Sequence, residues 1–221
     1  MEKNDHALLF LGKKEDTYCT KGLNFCLANF KNVTTCLGNW GEPLSDDILK
    51  WKGDYIISYL SRWIIPESLL ANARIGAINF HPAPPDYPGI GCFNFALYEG
   101  AKEYGVTCHH MKPNVDTGDI IEVKRFPILL TDDVAQLITR TYDYQLVLFY
   151  KIMSLIILGE KLPQSKEKWI RKPFTRKELD ELSRITPEMD KLEILRRIKA
   201  TYFGSWKPVI ELYGISFELK K

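Results

Sequence analysis

One stretch of the sequence, from Gly76 to Gly91, reads GAINFHPAPPDYPGIG and constrains the fold more than any other. An apolar run of β type carries the polar residues Asn79 and His81 and then enters a segment rich in proline and glycine. Because strand side chains alternate between faces, Asn79 and His81 share one face of the strand. Proline cannot continue a β-ladder, so His81 is predicted to end the strand, at the edge where open α/β sheets bind ligands.

Apolar runs before this stretch predict the sheet to which it belongs. Strands are expected at residues 6–11, 33–37, 54–60 and 76–81, with helices at 16–30, 46–51 and 67–73 between them. Strands that alternate with helices and are apolar on both faces are typical of a mostly parallel, Rossmann-like α/β sheet. The residues after the first strand, LGKKEDTY, lack the GxGxxG pattern of dinucleotide-binding proteins, so NAD binding is not predicted.

The chain beyond the proline-rich loop is predicted to complete this domain. It is expected to add a helix at residues 92–99 and a hairpin of strands at residues 104–111 and 121–127. A long helix follows, with Thr131 as its N-cap and Leu158 near its end. We therefore predict a catalytic domain over residues 1–159.

Residues 160–221 change in pattern and are predicted to form a small appendage. It is expected to contain helices at residues 175–183 and 187–200, the second starting at Pro187, and a β-hairpin of strands at residues 209–213 and 215–219. This segment carries 15 Lys and Arg residues against 10 Asp and Glu residues, a net charge of +5. Because the two signs are interleaved, we interpret the basic side chains as a solvated helix face rather than as an arm that binds nucleic acid.

The cysteines and the apolar runs indicate the cellular compartment of the protein. The five cysteines are an odd number without a CxxC pair, which argues against both a zinc ribbon and a disulfide framework and favours a reducing compartment. No secretory signal opens the chain, and its most apolar run, Leu146 to Leu158, is interrupted by Lys151 and is too short to span a bilayer. We expect a soluble, cytoplasmic protein with no membrane partner and no metal.

Three polar residues form a candidate catalytic set. Asn79 and His81 close the central strand, and Asp116 lies in the turn sequence VDTGDI. An imidazole can accept a proton, a carboxylate can orient the imidazole, and an amide can donate to a developing oxyanion. Acyl transfer requires all three roles. From these residues alone, a structural histidine that is satisfied in the core remains an open alternative. His109 and His110, on the next predicted strand, are interpreted as structural.

Three motifs, taken together, resemble those of the folate-dependent formyltransferase family. They are the Asn-x-His strand end and proline-rich loop NFHPAPPDYPG, the strand end at His110 followed by Asp116, Gly118 and Ile120, and the proline-terminated strand SYLSRWIIP. The resemblance covers about residues 54–125 closely and the remainder loosely. It implies the formyltransferase fold for the Rossmann-like sheet, with a C-terminal helix and β-hairpin appendage. It also implies that Asn79, His81 and Asp116 are the catalytic triplet.

The resemblance further implies the substrates and their contacts. The formyl donor would be 10-formyltetrahydrofolate, used as a co-substrate without a metal. The residues expected to hold its pterin ring are the backbone of Arg62 and Ile64 and the loop from Val115 to Asp119. Tyr87 and Asn94 are the expected contacts of the second substrate.

The loop form HPAPPDYPGIGCFNFALYEG resembles the sugar N-formyltransferases in particular. The implied acceptor is a nucleotide-linked amino sugar, notably dTDP-4-amino-4,6-dideoxyglucose, for the synthesis of O-antigen or another surface polysaccharide. Methionyl-tRNA formyltransferase is an alternative, although that enzyme typically has Leu-Leu-Pro where this chain has Pro85 and Pro88, and carries a larger basic domain. A non-catalytic folate-binding paralogue is the other alternative.

The predicted hairpin at the end of the chain suggests an assembly. Two strands alone are marginally stable, and their apolar positions leave one face without cover. A second copy of the chain can supply that cover, and the sugar formyltransferases that this chain resembles pair through their tails. We therefore expect a homodimer.

Overall fold

The structure, a computed structural model, describes residues 2–220. Its first part contains β1 (Asn4–Lys13), α1 (Thr17–Asn29), β2 (Phe30–Gly38), α2 (Asp46–Leu49), β3 (Gly53–Tyr59), α3 (Glu67–Leu70), β4 (Ala73–His81), α4 (Cys92–Glu99), β5 (Glu103–His110), β6 (Ile120–Pro127) and α5 (Val134–Leu158). The tail contains α6 (Arg176–Ser183), β7 (Arg184–Ile185), α7 (Lys191–Thr201), β8 (Val209–Leu212) and β9 (Ile215–Glu218). The predicted succession of strands and helices is confirmed, with boundaries that differ by a few residues.

The main sheet has six strands in the order β2-β1-β3-β4-β5-β6. Strands β1 to β4 are parallel, and β5 and β6 are added antiparallel at one edge. The expected mostly parallel, Rossmann-like sheet is therefore confirmed, as is the hairpin of β5 and β6. The central strand β4 lies between β3 and β5, so its backbone is hydrogen-bonded to a neighbouring strand on both sides.

Both faces of the parallel strands are covered, which explains their continuous apolar sequence. Leu8 and Phe10 of β1 pack into a cluster with α1 and α5. The alternate residues Leu9 and Leu11 pack on the other face with α2 and α3. All four side chains are fully buried. A run without alternation is the pattern that a doubly covered strand requires.

Helix α5 is the longest of the described helices, at 25 residues, and it lies against the sheet. Phe149, at its centre, is fully buried and contacts the rings of Tyr59 and Phe80, with centroids 4.7 and 5.0 Å away. Phe80 stands between Asn79 and His81 in β4, so this packing fixes the strand that carries them. Among residues 2–220, no helix is both long enough and apolar enough to cross a membrane.

The tail packs on the first part of the chain rather than apart from it. Leu179 of α6 and Ala200 of α7 are buried in one apolar cluster with Phe95 of α4 and Leu137 of α5. The short strand β7 pairs with β8, so the predicted hairpin becomes a three-stranded sheet. Strand β7 was not predicted because two residues carry no periodic pattern. The predicted boundary at residue 159 therefore marks a change in sequence pattern, while the apolar core includes residues from both sides of it.

Two helices begin later than the sequence predicts. The N-cap of α5 is Asp133 rather than Thr131, because the Asp133 carboxylate accepts the Gln136 N–H while the Gln136 side chain binds the Asp133 N–H. The N-cap of α7 is Asp190, so Pro187 is not a helical residue. In both cases a carboxylate near the predicted start competes successfully for the first free amides of the helix.

Replacing Phe149 with alanine tests whether the α5 contact supports β4. We expect Phe149→Ala to lower the free energy of unfolding by about 3–5 kcal/mol, because a fully buried aromatic ring is lost and a cavity remains. Leu158→Ala, on the same helix but 62% exposed, is the matched control and should change it by less than about 0.5 kcal/mol. Urea unfolding followed by circular dichroism measures both variants. Equal effects in the two variants would contradict this account of the core.

Candidate active site

The site begins where β4 ends. The strand stops at His81, as predicted, and Asn79 and His81 lie on the same face. In the antiparallel pairing with β5, Asn79 is opposite His109 and His81 is opposite Thr107. Four polar side chains therefore project from two neighbouring strands at one place.

The proline-rich loop folds back towards the histidine that precedes it. The Tyr87 N–H donates to the Pro84 carbonyl at 3.0 Å, which closes a turn. The hydroxyl of Thr107 donates to the Ala83 carbonyl at 2.7 Å and holds the loop against β5. The Tyr87 carbonyl consequently lies 3.0 Å from His81 Nε2. Since a carbonyl oxygen can only accept, Nε2 carries the hydrogen and Nδ1 is the nitrogen that remains for proton uptake.

Asp116 is held between two imidazoles. Its Oδ2 lies 3.4 Å from His81 Nδ1, and its Oδ1 lies 3.4 Å from His109 Nε2. The Gly89 N–H, from the proline-rich loop, donates to Oδ2 at 2.8 Å. Asp116 has a φ of 47°, a left-handed conformation that few non-glycine residues adopt. The structure thus brings together all three predicted members of the triplet, with Asn79 joined to Asp116 through His109.

The protonation state of Asp116 follows from its surroundings. Burial alone would raise the pKa of this carboxyl group. When the two imidazoles are protonated, the positive charge on His81, the hydrogen bond and positive charge of His109, and the Gly89 N–H together lower the pKa to about 2. Asp116 is therefore ionised at neutral pH. Its negative charge faces the nitrogen at which His81 can take up a proton.

His109 is a member of the site that the sequence analysis assigned to structure alone. It is 2% exposed, and its Nδ1 donates to the His110 carbonyl at 2.8 Å. In the neutral ring Nε2 is then the acceptor, and the amide nitrogen of Asn79 donates to it at 3.1 Å. The Asn79 amide has two N–H groups, so one is used to orient the amide and one remains for a ligand. The predicted hairpin, placed antiparallel beside β4, could have indicated this pairing.

A cavity of about 970 Å³ reaches these residues. Asn79, His81, His109 and Asp116 all line it. This volume is at the upper end of the range for ligand pockets, about 300–1,000 Å³, and suits two ligands that meet. The tail contributes to its wall through Phe174, Arg176, Phe203 and Trp206. Within residues 2–220, no group of three His, Cys, Asp or Glu side chains is arranged to hold a metal ion.

Four of the predicted contact residues also line the cavity. They are Arg62, Ile64, Asn94 and Val115. The Arg62 guanidinium lies 5.2 Å from the centroid of the Trp40 ring, and no carboxylate in the described part of the chain pairs with it. The Asn94 amide nitrogen donates to the Ala200 carbonyl at 2.6 Å, which ties α4 to α7.

The two remaining predicted contact residues, Tyr87 and Asp119, do not line the cavity. The Tyr87 hydroxyl donates to Glu99 at 3.0 Å and its ring is buried, so Tyr87 serves the site through its backbone carbonyl. The Asp119 side chain is 77% exposed and pairs with Lys112 at 3.3 Å. Neighbouring residues of a short loop can point into a site or away from it. A motif match does not show which of them points into the site.

Comparison with known proteins shows the family to which the chain belongs. Residues 29–152, more than half of the chain, match the family model described as formyl transferase. Among curated proteins, methionyl-tRNA formyltransferase of Latilactobacillus sakei is 30% identical over 155 residues, which cover 70% of this chain and 46% of that enzyme. The chain thus spans less than half the length of the curated relatives that it matches.

Solved structures share the fold over nearly the whole chain. A 4-N formyltransferase from Francisella tularensis has a TM-score of 0.76 at 16% identity, covering 97% of this chain and 98% of that one. An N-formyltransferase from Helicobacter canadensis, in complex with folinic acid and dTDP-3-aminofucose, has a TM-score of 0.73 at 21% identity, covering 94% of this chain and 84% of that one. At these identities the likeness shows the fold, including its tail.

The ionised state of Asp116 predicts an acid-dependent stability. Because its folded-state pKa of about 2 lies below the usual 3.8, the stabilisation it provides is complete above pH 3.8 and is lost as the pH falls towards about 2. We expect Asp116→Asn to lose less stability than the unmodified protein over this interval. Urea unfolding at a series of pH values measures the difference, with the exposed Asp180→Asn as the control. An acid dependence that Asp116→Asn leaves unchanged would contradict the assignment.

Proposed function

The chain belongs to the formyl transferase family, and from this premise we propose that it moves a formyl group from 10-formyltetrahydrofolate to the amine of a nucleotide-linked amino sugar. The observation that carries the proposal is the ionised Asp116, buried between two imidazoles at the end of a cavity and beside an amide with one free N–H. These are the groups that amine attack on a formyl carbon requires. The proposed acceptor is an amino-dideoxy sugar such as dTDP-4-amino-4,6-dideoxyglucose.

The cavity has features that suit both substrates. Arg62, Ile64 and Val115 line it and are the residues proposed to hold the folate, with the exposed Trp40 beside them. Flat aromatic and apolar side chains bind a heteroaromatic ring by stacking and burial. The Helicobacter canadensis enzyme was crystallised with folinic acid and a dTDP-amino sugar together, which supports a site that takes both classes of ligand.

Asn79 is proposed to stabilise the charge that develops on the formyl oxygen. When the amine nitrogen bonds to the formyl carbon, the carbonyl electron pair moves to oxygen, which becomes negative. The second N–H of Asn79 is available to this oxygen because the first is held by His109. A donor fixed in advance stabilises such a charge without reorganising during the reaction.

His81 and Asp116 are proposed to remove the proton that the amine must lose. The proton passes to His81 Nδ1, where Asp116 Oδ2 stabilises the imidazolium at 3.4 Å. The Tyr87 carbonyl accepts the hydrogen of His81 Nε2, so Nδ1 is the nitrogen that can take up the proton. The carbonyl then re-forms as the bond between the formyl carbon and the folate nitrogen breaks, and that nitrogen takes the proton from His81 as it leaves. Proton transfer by a positioned imidazole is typically worth about 10²- to 10⁴-fold in rate.

Methionyl-tRNA formyltransferase activity is a second candidate, because the curated relatives that match carry that name. Their likeness covers less than half of those enzymes. The fold of the Francisella tularensis 4-N formyltransferase, in contrast, matches nearly all of both chains. This full correspondence supports the sugar acceptor.

The proposed place of the reaction is the cytoplasm. All five cysteines have free thiols, and four of the five are buried. Thiols remain unpaired in reducing compartments, and an odd number of cysteines without a disulfide offers no framework for an oxidising one. The formylated sugar is proposed to enter O-antigen or another surface polysaccharide.

An acceptor panel tests the proposed function directly. The protein is mixed with 10-formyltetrahydrofolate and, separately, with dTDP- and GDP-linked amino sugars or with methionyl-tRNA. Mass spectrometry of each acceptor detects the gain of one formyl group. Formylation of an amino sugar alone supports the proposal, and formylation of methionyl-tRNA alone replaces it with the second candidate. A folate that binds without transfer to any acceptor would identify a non-catalytic paralogue.

His81 variants test the proton transfer. We expect His81→Asn and His81→Ala to lose about 10²- to 10⁴-fold in kcat, because both remove the basic imidazole that can take up the proton. His6→Asn is the matched control, since His6 lies in β1, away from the cavity, and should retain the activity. Circular dichroism melting shows whether the variants remain folded. Near-normal turnover by both His81 variants would contradict the assigned role.

The tail hairpin supports the proposed homodimer. In the pairing of β8 with β9, Ile210 is opposite Phe217 and Leu212 is opposite Ile215, so these four apolar residues share one face. The exposed fractions of Leu212, Ile215 and Phe217 are 37%, 59% and 49%. An exposed apolar sheet face of this kind is typical of an interface.

Charge placed on this face should separate the two copies. We expect the unmodified protein to have a dimer mass in light scattering at micromolar concentration, and Phe217→Lys to have a monomer mass. Ser216→Lys adds the same charge to the opposite face of β9 and should remain dimeric. A monomer mass for the unmodified protein would mean that the hairpin face is not a self-association surface.

A further inference from the structure

The polar segment that follows α5 runs back across the active site, and we call residues 165–174 the strap. At one end, the Ser165 N–H donates to the Ile120 carbonyl at 3.0 Å. At the other end, the Phe174 N–H donates to the Pro88 carbonyl at 2.9 Å. The strap therefore connects the start of β6 with the proline-rich loop. The sequence pattern predicts no helix or strand for residues 160–174.

Gly89 shows how closely the strap approaches this loop. Its φ is +89°, and a Cβ at this position would lie 2.4 Å from the Phe174 carbonyl oxygen. Only glycine fits such an approach. The Gly89 N–H is also the donor to Asp116 Oδ2, so the position of the strap is linked to the position of the carboxylate.

Trp169, in the middle of the strap, contacts both imidazoles of the site. Its ring centroid lies 5.0 Å from that of His109 and 5.8 Å from that of His81, with interplanar angles of 87° and 69°. Edge-to-face arrangements of this kind are favourable contacts between aromatic rings. The indole Nε1 donates to the Gly118 carbonyl at 2.8 Å.

The hydrogen bond to Gly118 acts on the turn that carries the carboxylate. Asp116 has a positive φ, and Gly118 lies so close to β5 that a Cβ on it would be 1.6 Å from the His110 carbonyl oxygen. A turn in this conformation persists only where its surroundings hold it. Trp169 supplies such a hold on one side and covers the imidazoles on the other.

From this juxtaposition we propose that Trp169 is a positioning residue of the transfer reaction, which holds the Asp116 turn against His81 and His109 and keeps water from them. The inference rests on the proposed function, because it assigns Trp169 to the proton transfer at that site. Excluding water lowers the local dielectric constant and strengthens the attraction between Asp116 and a protonated imidazole. Trp169 has no other role in the proposed chemistry, since it donates to the backbone and not to a substrate.

Two substitutions separate the ring from its hydrogen bond. Trp169→Phe keeps an aromatic ring but loses the donor to Gly118, and Trp169→Ala loses both. We expect kcat to fall by about 10- to 100-fold in Trp169→Ala, with an intermediate loss in Trp169→Phe and a nearly unchanged KM for the acceptor. Trp51→Phe is the matched control, because Trp51 packs with the cluster of α2 and α3. Wild-type kcat in both Trp169 variants, or a loss that appears only in KM, would overturn the proposal.

A second measurement does not depend on turnover. The indole ring current shifts the NMR signals of imidazole protons that lie against it, and the imidazoles in contact with Trp169 are those of His81 and His109. At one fixed pH, Trp169→Ala should move the imidazole signals of His81 and His109 and leave that of His6, in β1, in place. Trp51→Phe should leave all three signals unchanged.

This NMR result separates the role of Trp169 from the proposed function. If the protein transfers no formyl group but the His81 and His109 signals move in Trp169→Ala, the contact of Trp169 with the imidazoles is retained and only the proposed function fails. Signals of His81 and His109 that stay in place in Trp169→Ala would overturn the proposed role of Trp169 whatever the activity.

Discussion

A buried carboxylate must have partners, and the arrangement around Asp116 follows from that requirement. Removing an unpaired carboxylate from water costs several kcal/mol. Here the Gly89 N–H offsets part of this cost, and the two imidazoles offset more of it when they are protonated. The same contacts determine which nitrogen of each histidine is available. His81 donates through Nε2 to a carbonyl, whereas His109 donates through Nδ1, so the two rings present opposite edges. The orientation of Asn79 then depends on His109. Every polar group of the site is therefore coupled to one charge.

The remainder of the fold serves to hold these groups in place. Phe80 is buried against Phe149, which fixes the strand between Asn79 and His81. The proline-rich loop supplies the Tyr87 carbonyl and the Gly89 N–H. The strap is hydrogen-bonded to this loop through the Phe174 N–H and the Pro88 carbonyl. The tail is not separate from the site, because α6 and α7 share a core with α4, and Arg176 of α6 contributes to the cavity wall together with Phe203 and Trp206. We infer that changes in the tail affect the cavity as well as any association between copies.

Local patterns in the sequence predict part of this arrangement and miss part of it for identifiable reasons. Alternation along one strand placed Asn79 and His81 together, and apolar runs without alternation predicted the doubly covered sheet. His109 was interpreted as structural because its role depends on the pairing of β5 with β4, which brings residues 30 positions apart into contact. Trp169 lies in an irregular segment, where no periodicity indicates the path of the chain. Tyr87 was expected to contact the second substrate, and in the structure its carbonyl contacts His81 while its hydroxyl donates to Glu99. Matching a motif shows which residues recur, but the local backbone decides which atom of each reaches the site.

The tautomers of the histidines test the account most directly. The chain has four histidines, so long-range nitrogen–proton NMR spectra of the imidazole rings can be assigned with single variants. The account predicts that, at a pH where both rings are neutral, His81 carries its hydrogen on Nε2 and His109 carries its hydrogen on Nδ1. It also predicts that Asp116→Asn changes the shifts of both rings. His109 with its hydrogen on Nε2, or two rings that do not respond to Asp116→Asn, would contradict a site organised around one shared carboxylate.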